Sequence, residues 1–72
     1  MNIIRKITIG TEYKNNAIHY ILHQIVYDGH RICDIIDEED KYTIFIKKGI
    51  DVLPWKEFNK NMAISIEYKT DY

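Results

Sequence analysis

Hydrophobic and polar residues alternate along three stretches of the chain, residues 3–9, 42–46 and 62–68. Successive side chains of a β-strand point to opposite faces, so this period of two predicts three half-buried strands. Charged or glycine-containing segments separate the stretches, as expected for turns. The pattern therefore favours a small antiparallel sheet.

The alternation also assigns each strand a buried face. In residues 3–9 this face carries Ile3, Ile7 and Ile9, together with Arg5. In residues 62–68 the inward positions are Met62, Ile64, Ile66 and Tyr68, and the outward positions are Ala63, Ser65 and Glu67. The residues expected to form the core are Ile7, Ile9, Leu22, Ile44, Ile46, Ile64 and Ile66.

Residues 17–27 fit two structures. Their apolar residues recur at helical spacing, yet six of these eleven residues are β-branched or aromatic, which favours a strand. Asp28-Gly29 follows directly and is a strong hairpin signal, and residues 30–36 form another β-like run. We interpret residues 17–27 as one strand, which the Asp28-Gly29 turn joins to a second strand over residues 30–36. The alternative is an α+β fold with a helix over residues 13–26 packed on the sheet.

A short helix is predicted near residues 54–60. Pro54 suits the first position of a helix, and Trp55 and Phe58 lie three residues apart, on one helical face. These two rings would pack the helix onto the sheet. The predicted fold is thus mainly β: a single domain over residues 1–72, with about five antiparallel strands and one short helix.

Length, charge and cysteine content narrow the class of protein. Seventy-two residues allow one small core. The 10 basic and 11 acidic residues nearly balance, so the whole molecule has no attraction for nucleic acid or an anionic membrane. The single cysteine, Cys33, precludes an internal disulfide, and no apolar run approaches the roughly 20 residues of a membrane span. These features predict a cytoplasmic protein that does not enter membranes.

The chemistry-bearing residues do not form a motif that we can assign. A zinc site drawn from His19, His23, His30 and Cys33 lacks the spacing of a zinc module and a second thiolate. The acidic run over residues 37–40 lacks the alternating ligands and central glycine of a calcium loop. No nucleophile is paired with a base. We therefore expect no catalytic residues, no cofactor and no metal.

Aromatic and lysine residues near the C-terminal end provide the candidate binding surface. Interleaved rings and lysines can stack bases and hold phosphates, although packing on the sheet is the favoured role for the tryptophan and the phenylalanine. The candidate residues are Trp55, Lys56, Phe58, Lys60 and Tyr68.

Several strings of residues are specific enough to compare with known proteins. They are Ile4-Arg5-Lys6-Ile7-Thr8-Ile9-Gly10, Tyr13-Lys14, His19-Tyr20, Trp55-Lys56-Glu57-Phe58-Asn59, Asn61-Met62 and Ser65-Ile66-Glu67-Tyr68. Together they resemble a group of small uncharacterised proteins from crAss-like and related phages of gut Bacteroidetes. The resemblance implies a phage protein made in the cytoplasm of an infected bacterium, and it implies no functional residue.

The function expected from these observations is protein–protein binding by a non-enzymatic phage accessory protein. The partner would be a host protein, a viral protein or a second copy of the chain, and a homodimer is favoured because small open sheets expose strand edges. The first alternative is single-stranded nucleic-acid binding through an aromatic and lysine sheet face. The second is a minor structural component of the virion.

Overall fold

The computed structural model describes residues 3–10 and 16–69. Within them the chain forms two antiparallel sheets, so the prediction of a mainly β fold is confirmed. The described strands number seven rather than five, and they are β1 Ile4–Gly10, β2 Ala17–Ile21, β3 Ile25–Tyr27, β4 His30–Asp37, β5 Lys41–Lys48, β6 Asp51–Asn59 and β7 Ala63–Tyr68. The three-stranded sheet has the order β2-β1-β7, and the four-stranded sheet has the order β3-β4-β5-β6.

β2 and β3 are two halves of one bent segment that belongs to both sheets. The Leu22 N–H donates to the carbonyl of Arg5 in β1 (2.9 Å), whereas the His23 N–H donates to the carbonyl of Ile32 in β4 (2.8 Å). His23 takes a left-handed conformation with φ of 73° at the bend. Residues 17–27 are therefore β as predicted, but they form two strands separated by a turn and not the single strand expected. The alternative helix over residues 13–26 is wrong for residues 16–26, and residues 13–15 lie outside the described part.

The hairpin predicted at Asp28-Gly29 is confirmed. Both residues have positive φ, 47° and 75°, as the two central residues of a type I′ turn require. The turn places Tyr27 of β3 directly opposite His30 of β4. Glycine suits the second position because it has no Cβ to clash in this conformation.

Extra residues in the strands, known as β-bulges, change which side chains reach the core. In β1, Ile4 pairs with Tyr68 and Lys6 with Glu67, so Arg5 is the extra residue. The bulge turns Ile4 inward together with Ile7, three positions away, and both are fully buried. Ile3 is exposed, so the face predicted for residues 3–9 is wrong at that position.

A second bulge corrects the prediction for β7. Thr8 pairs with Ser65 and Ile9 pairs with Ala63, which leaves Ile64 as the extra residue. Ala63 and Ile66 then pack against the core, and Ile64 is 63% exposed. The predicted positions are therefore wrong for Met62, Ile64 and Tyr68, which are exposed, and for Ala63, which is half-buried. They are confirmed for Ile66, which packs against the core, and for Ser65 and Glu67, which are exposed.

The helix predicted near residues 54–60 is wrong. These residues lie mostly in β6, an edge strand, and helical structure is limited to a 3₁₀ turn at Lys60–Met62 in the described residues. Pro54 is compatible with an edge strand because its missing N–H does not break a central ladder. Trp55 is an extra residue opposite β5, so it reaches the inner face together with Phe58. The spacing of three residues between Trp55 and Phe58, which fits one face of a helix, results from this bulge in the strand.

The core lies between the two sheets, with β1 next to β4. Of the predicted core, four isoleucines are buried, Leu22 and Ile66 pack against it half-buried, and Ile64 is excluded. The buried apolar residues are Ile4, Ile7, Ile9, Tyr20, Ile32, Ile35, Tyr42, Ile44 and Ile46.

Candidate binding surfaces

An aromatic cluster joins the bent segment to the edge strand β6. The ring of Tyr20 contacts Trp55 edge-on, with centroids 5.7 Å apart, and lies 5.5 Å from the ring of Phe58. Tyr20 is only 8% exposed, and its burial raises the pKa of its phenol. Two of the predicted binding residues, Trp55 and Phe58, therefore pack against the protein's own core.

The other end of this cluster faces solvent. The Tyr27 ring is 47% exposed, lies 6.3 Å from the Trp55 ring and stacks on the His30 imidazole at 4.8 Å. The Lys56 ammonium lies 4.8 Å from the centroid of the Trp55 ring, within cation–π range. Tyr27, stacked on the half-buried His30, is thus the part of the cluster that a ligand could reach.

Lys60 belongs to a neighbouring group. Its ammonium lies 4.3 Å from the centroid of the Tyr42 ring and pairs with the Asp37 carboxylate. The hydrogen bond to Asp37 raises the pKa of Lys60, and the nearby phenol of Tyr68 adds to this effect. The five candidate residues accordingly divide into Trp55, Phe58 and Lys56 on one side, and Lys60 with Tyr68 on the other.

The histidines and Cys33 do not gather into a metal-binding group in the described residues. His19 Nδ1 lies 3.0 Å from Thr8 Oγ1, and His30 Nδ1 lies 3.1 Å from the Tyr27 carbonyl. Over residues 3–10 and 16–69, no three His, Cys, Asp or Glu side chains come together as a metal site would need. Burial raises the pKa of the Cys33 thiol and the Asp34 charge adds to it, which disfavours the reactive thiolate.

The sequence did not reveal a second surface, on the side of the four-stranded sheet that points away from the core. We call it the outer face. Strand pairing arranges its residues in three rows that cross the strands. The first row is Ile25, Arg31, Lys47 and Val52; the second is Asp34, Phe45 and Pro54; the third is Ile36, Thr43 and Glu57.

An apolar stripe crosses this outer face. Phe45 lies half-buried at its centre, and Pro54 is exposed beside it. Val52 is 57% exposed in the row on one side, and Ile36 is exposed in the row on the other. The solvent side of an antiparallel sheet is normally polar, so this stripe calls for a functional explanation.

Two cations lie beside the stripe. Arg31 and Lys47 are directly opposite each other on β4 and β5, and both are exposed. Like charges at opposed positions destabilise a sheet. Across the described chain neither forms an ion pair, whereas Lys41 pairs with Glu57 at 2.9 Å and Lys48 with Asp28 at 3.4 Å. The two cations are thus available to an acidic group from outside.

Carboxylates occupy the opposite end of the outer face. The Thr43 hydroxyl donates to the Glu38 carboxylate, and Glu57 lies opposite Thr43 on β6. Glu57 also accepts a hydrogen bond from Lys41, which raises the pKa of that lysine. The face is therefore basic at the Lys47 end and carries carboxylates at the Thr43 end.

Comparisons with protein-family models, with curated proteins and with solved structures found no match to this chain. In the part of the chain that the structure describes, no helix has the length and apolar character needed to cross a membrane.

Proposed function

We propose that the chain is a non-enzymatic binding module that acts through protein–protein contact at the outer face. The observation that carries the proposal is the apolar stripe centred on Phe45, flanked by the unpaired cations Arg31 and Lys47. The resemblance to phage proteins supports a role as an accessory factor in the cytoplasm of an infected bacterium.

The arrangement matches the composition of protein interfaces. Their buried centres are enriched in aromatic side chains, and arginine is more frequent there than on the remaining surface. Burying a large apolar side chain contributes roughly 1.5–3 kcal/mol, so covering Phe45 and Val52 together would add appreciably to affinity. Charged groups at the margin then favour the correct orientation of the partner.

Site-specific photocrosslinking tests this proposal. A benzophenone side chain replaces Phe45 in the full chain, which is expressed in bacteria carrying the phage. A control places it at Ser65, an exposed position in the three-stranded sheet. Discrete protein adducts at position 45, and none at position 65, are expected. Equal labelling at both positions, or none at position 45, would contradict the proposal.

A second candidate is single-stranded nucleic-acid binding at the Tyr27–His30 stack. The Tyr27–His30 stack is the specific observation in its favour: it adjoins the Trp55 ring over which the Lys56 ammonium lies, and stacked rings with a cation nearby can hold a base and its phosphate. Quenching of the single tryptophan by an oligonucleotide at two salt concentrations tests it. Binding that weakens with salt, and weakens further in Lys56→Ala, is expected; no quenching would exclude this candidate.

A further inference from the structure

We infer that the protein bound at the outer face is a second copy of this chain, docked face to face about a two-fold axis. The inference rests on the proposed function, because it names the partner of that same surface. It follows from the distribution of charge and apolar area on the face, which is complementary to itself.

β5 sets the geometry of this contact. Its outward positions are Thr43, Phe45 and Lys47, and the Thr43 side chain itself is buried, at 3% exposure. The cationic position and the carboxylate-flanked position lie equally far from Phe45, two residues or about 7 Å each. A two-fold axis that passes through Phe45, in the plane of the interface and across the strands, exchanges these two positions. Lys47 of one copy then faces Thr43 of the other.

The exchange brings opposite charges together twice. Thr43 lies between Glu38, which accepts its hydroxyl hydrogen bond, and Glu57 on the neighbouring strand. Lys47 of each copy therefore meets two carboxylates on the other copy, of which Glu57 already pairs with Lys41 of its own chain. Since a two-fold contact is isologous, both ends of the interface gain the same ion pairs.

The middle row supplies the apolar part of the interface. Phe45 and Pro54 lie on the axis and meet their own symmetry mates. An aromatic side chain at the centre, surrounded by charged groups, is the usual location of an interface hot spot. The like-charged pair of Arg31 and Lys47 also receives the counter-charge that the isolated chain does not provide.

Three contacts oppose this association. The axis places Val52 opposite Glu57, and Arg31 opposite Ile36, so apolar side chains meet charged ones in the two outer rows. The third contact is between the two Asp34 side chains. Asp34 pairs with Phe45 in the middle row, so the two-fold axis brings it close to Asp34 of the second copy. The two carboxylates repel each other. The geometry therefore predicts that Asp34→Asn tightens the dimer, although the substitution removes a charge from the surface.

Two charge-reversal variants of the full chain provide the main test, with sedimentation velocity over a range of concentrations. Lys47→Glu and Glu57→Lys should each raise the dimer Kd about tenfold or more, because each places like charges across the interface. An equimolar mixture should associate again. In the mixed dimer, the introduced glutamate meets the introduced lysine at one end, and the native pair is intact at the other.

The controls separate loss of contact from loss of folding. Glu57→Lys also breaks the Lys41–Glu57 ion pair within the chain, so its melting temperature is measured beside that of wild type. Lys69→Glu makes the same charge change just after β7, away from the outer face, and should leave the Kd unchanged. Lys47→Glu replaces one member of a like-charged cross-strand pair, so the monomer should melt no lower than wild type. Asp34→Asn should lower the Kd.

Three results would overturn the inference. They are a wild-type monomer at every concentration, a dimer whose Kd neither reversal changes, and a mixture that associates no better than its components. If position 45 then formed adducts with a different protein, the proposed protein-binding function would stand, and only the second copy would be excluded as the partner. Absence of all adducts at position 45 would reject the proposed function as well.

Discussion

Leu22 and His23 are adjacent in the chain, yet their backbone N–H groups donate to different sheets, Leu22 to Arg5 of β1 and His23 to Ile32 of β4. One segment therefore serves as a strand in both sheets and fixes their relative position. The Gln24 carbonyl adds to this connection by accepting from the Ile32 N–H. The change of direction is concentrated at His23, which has a φ of 73°.

Substitution of His23 tests the importance of this bend. A β-branched side chain is strongly disfavoured at positive φ, so His23→Val should lower the free energy of unfolding by about 1–2 kcal/mol. Asparagine tolerates this conformation, and His23→Asn should melt close to wild type. Chemical denaturation of the two variants measures the difference. Equal stabilities would show that the bend does not depend on the conformation of residue 23.

Trp55 and Val52 lie on the same strand but face opposite sides of the sheet. Trp55→Ala removes the contacts with the Tyr20 and Tyr27 rings and should lower the free energy of unfolding by about 2–4 kcal/mol. Val52→Ala alters an exposed side chain and should change it by less than about 0.5 kcal/mol. Thermal melts of both variants decide this. A tryptophan variant as stable as the valine variant would move Trp55 from the core to the binding residues.

The sequence predicts much of this fold because strand alternation and turn chemistry are local properties. The Asp28-Gly29 turn and β5 follow directly from them. Bulges are not local in the same way, because an extra residue depends on the register of the neighbouring strand. Arg5 and Ile64 are such extra residues, and each interrupts the alternation of its strand. Trp55 is a third, and its spacing of three residues from Phe58 also fits a helix.

The candidate binding site was harder to predict. Trp55, Lys56 and Phe58 are close in sequence, and the structure places them together, although mostly as packing residues. The outer face gathers Arg31, Lys47 and others from four strands. These residues form rows only because of the register in which the strands pair. The spacing of residues along the chain does not reveal that register. One sequence signal does point to this face: Phe45 lies between Ile44 and Ile46, both predicted to be in the core, so the alternation places its ring on the opposite face of the strand.

Gly10 and Ile64 are predicted to be coupled. A Cβ on Gly10 would lie 3.1 Å from Ile64 Cδ1 and 3.2 Å from Cγ1, closer than ordinary contact. Gly10→Ala should therefore stabilise the protein only in the presence of Ile64→Ala, which removes Cδ1 and Cγ1 of Ile64. The expected coupling energy between the two substitutions is about 0.5–1 kcal/mol. Denaturation of the two single variants and the double variant completes the cycle. Additive effects would contradict this close approach.

Alkaline pH should destabilise the protein partly through Tyr20. Burial raises the pKa of this phenol, so above about pH 10 the native state retains a proton that the unfolded chain has lost. The free energy of unfolding must then fall as the pH rises. The raised pKa values of Lys41 and Lys60 act in the same direction. Melts between about pH 9 and about pH 11 should fall less steeply in Tyr20→Phe. An unchanged slope would leave the lysines as the cause.

The pairing of β1 with β7 has a consequence for the order in which the molecule folds. The Arg5–Glu67 ion pair joins residues 62 positions apart, whereas short turns connect β4 with β5 and β5 with β6. Closing a long chain segment costs more entropy than closing a short one, so the two hairpins are expected to form first and the β1–β7 pairing last. Interactions formed after the transition state mainly affect the unfolding rate. The contact between β1 and β7 should thus determine how long a native molecule persists, and have little influence on how fast it forms.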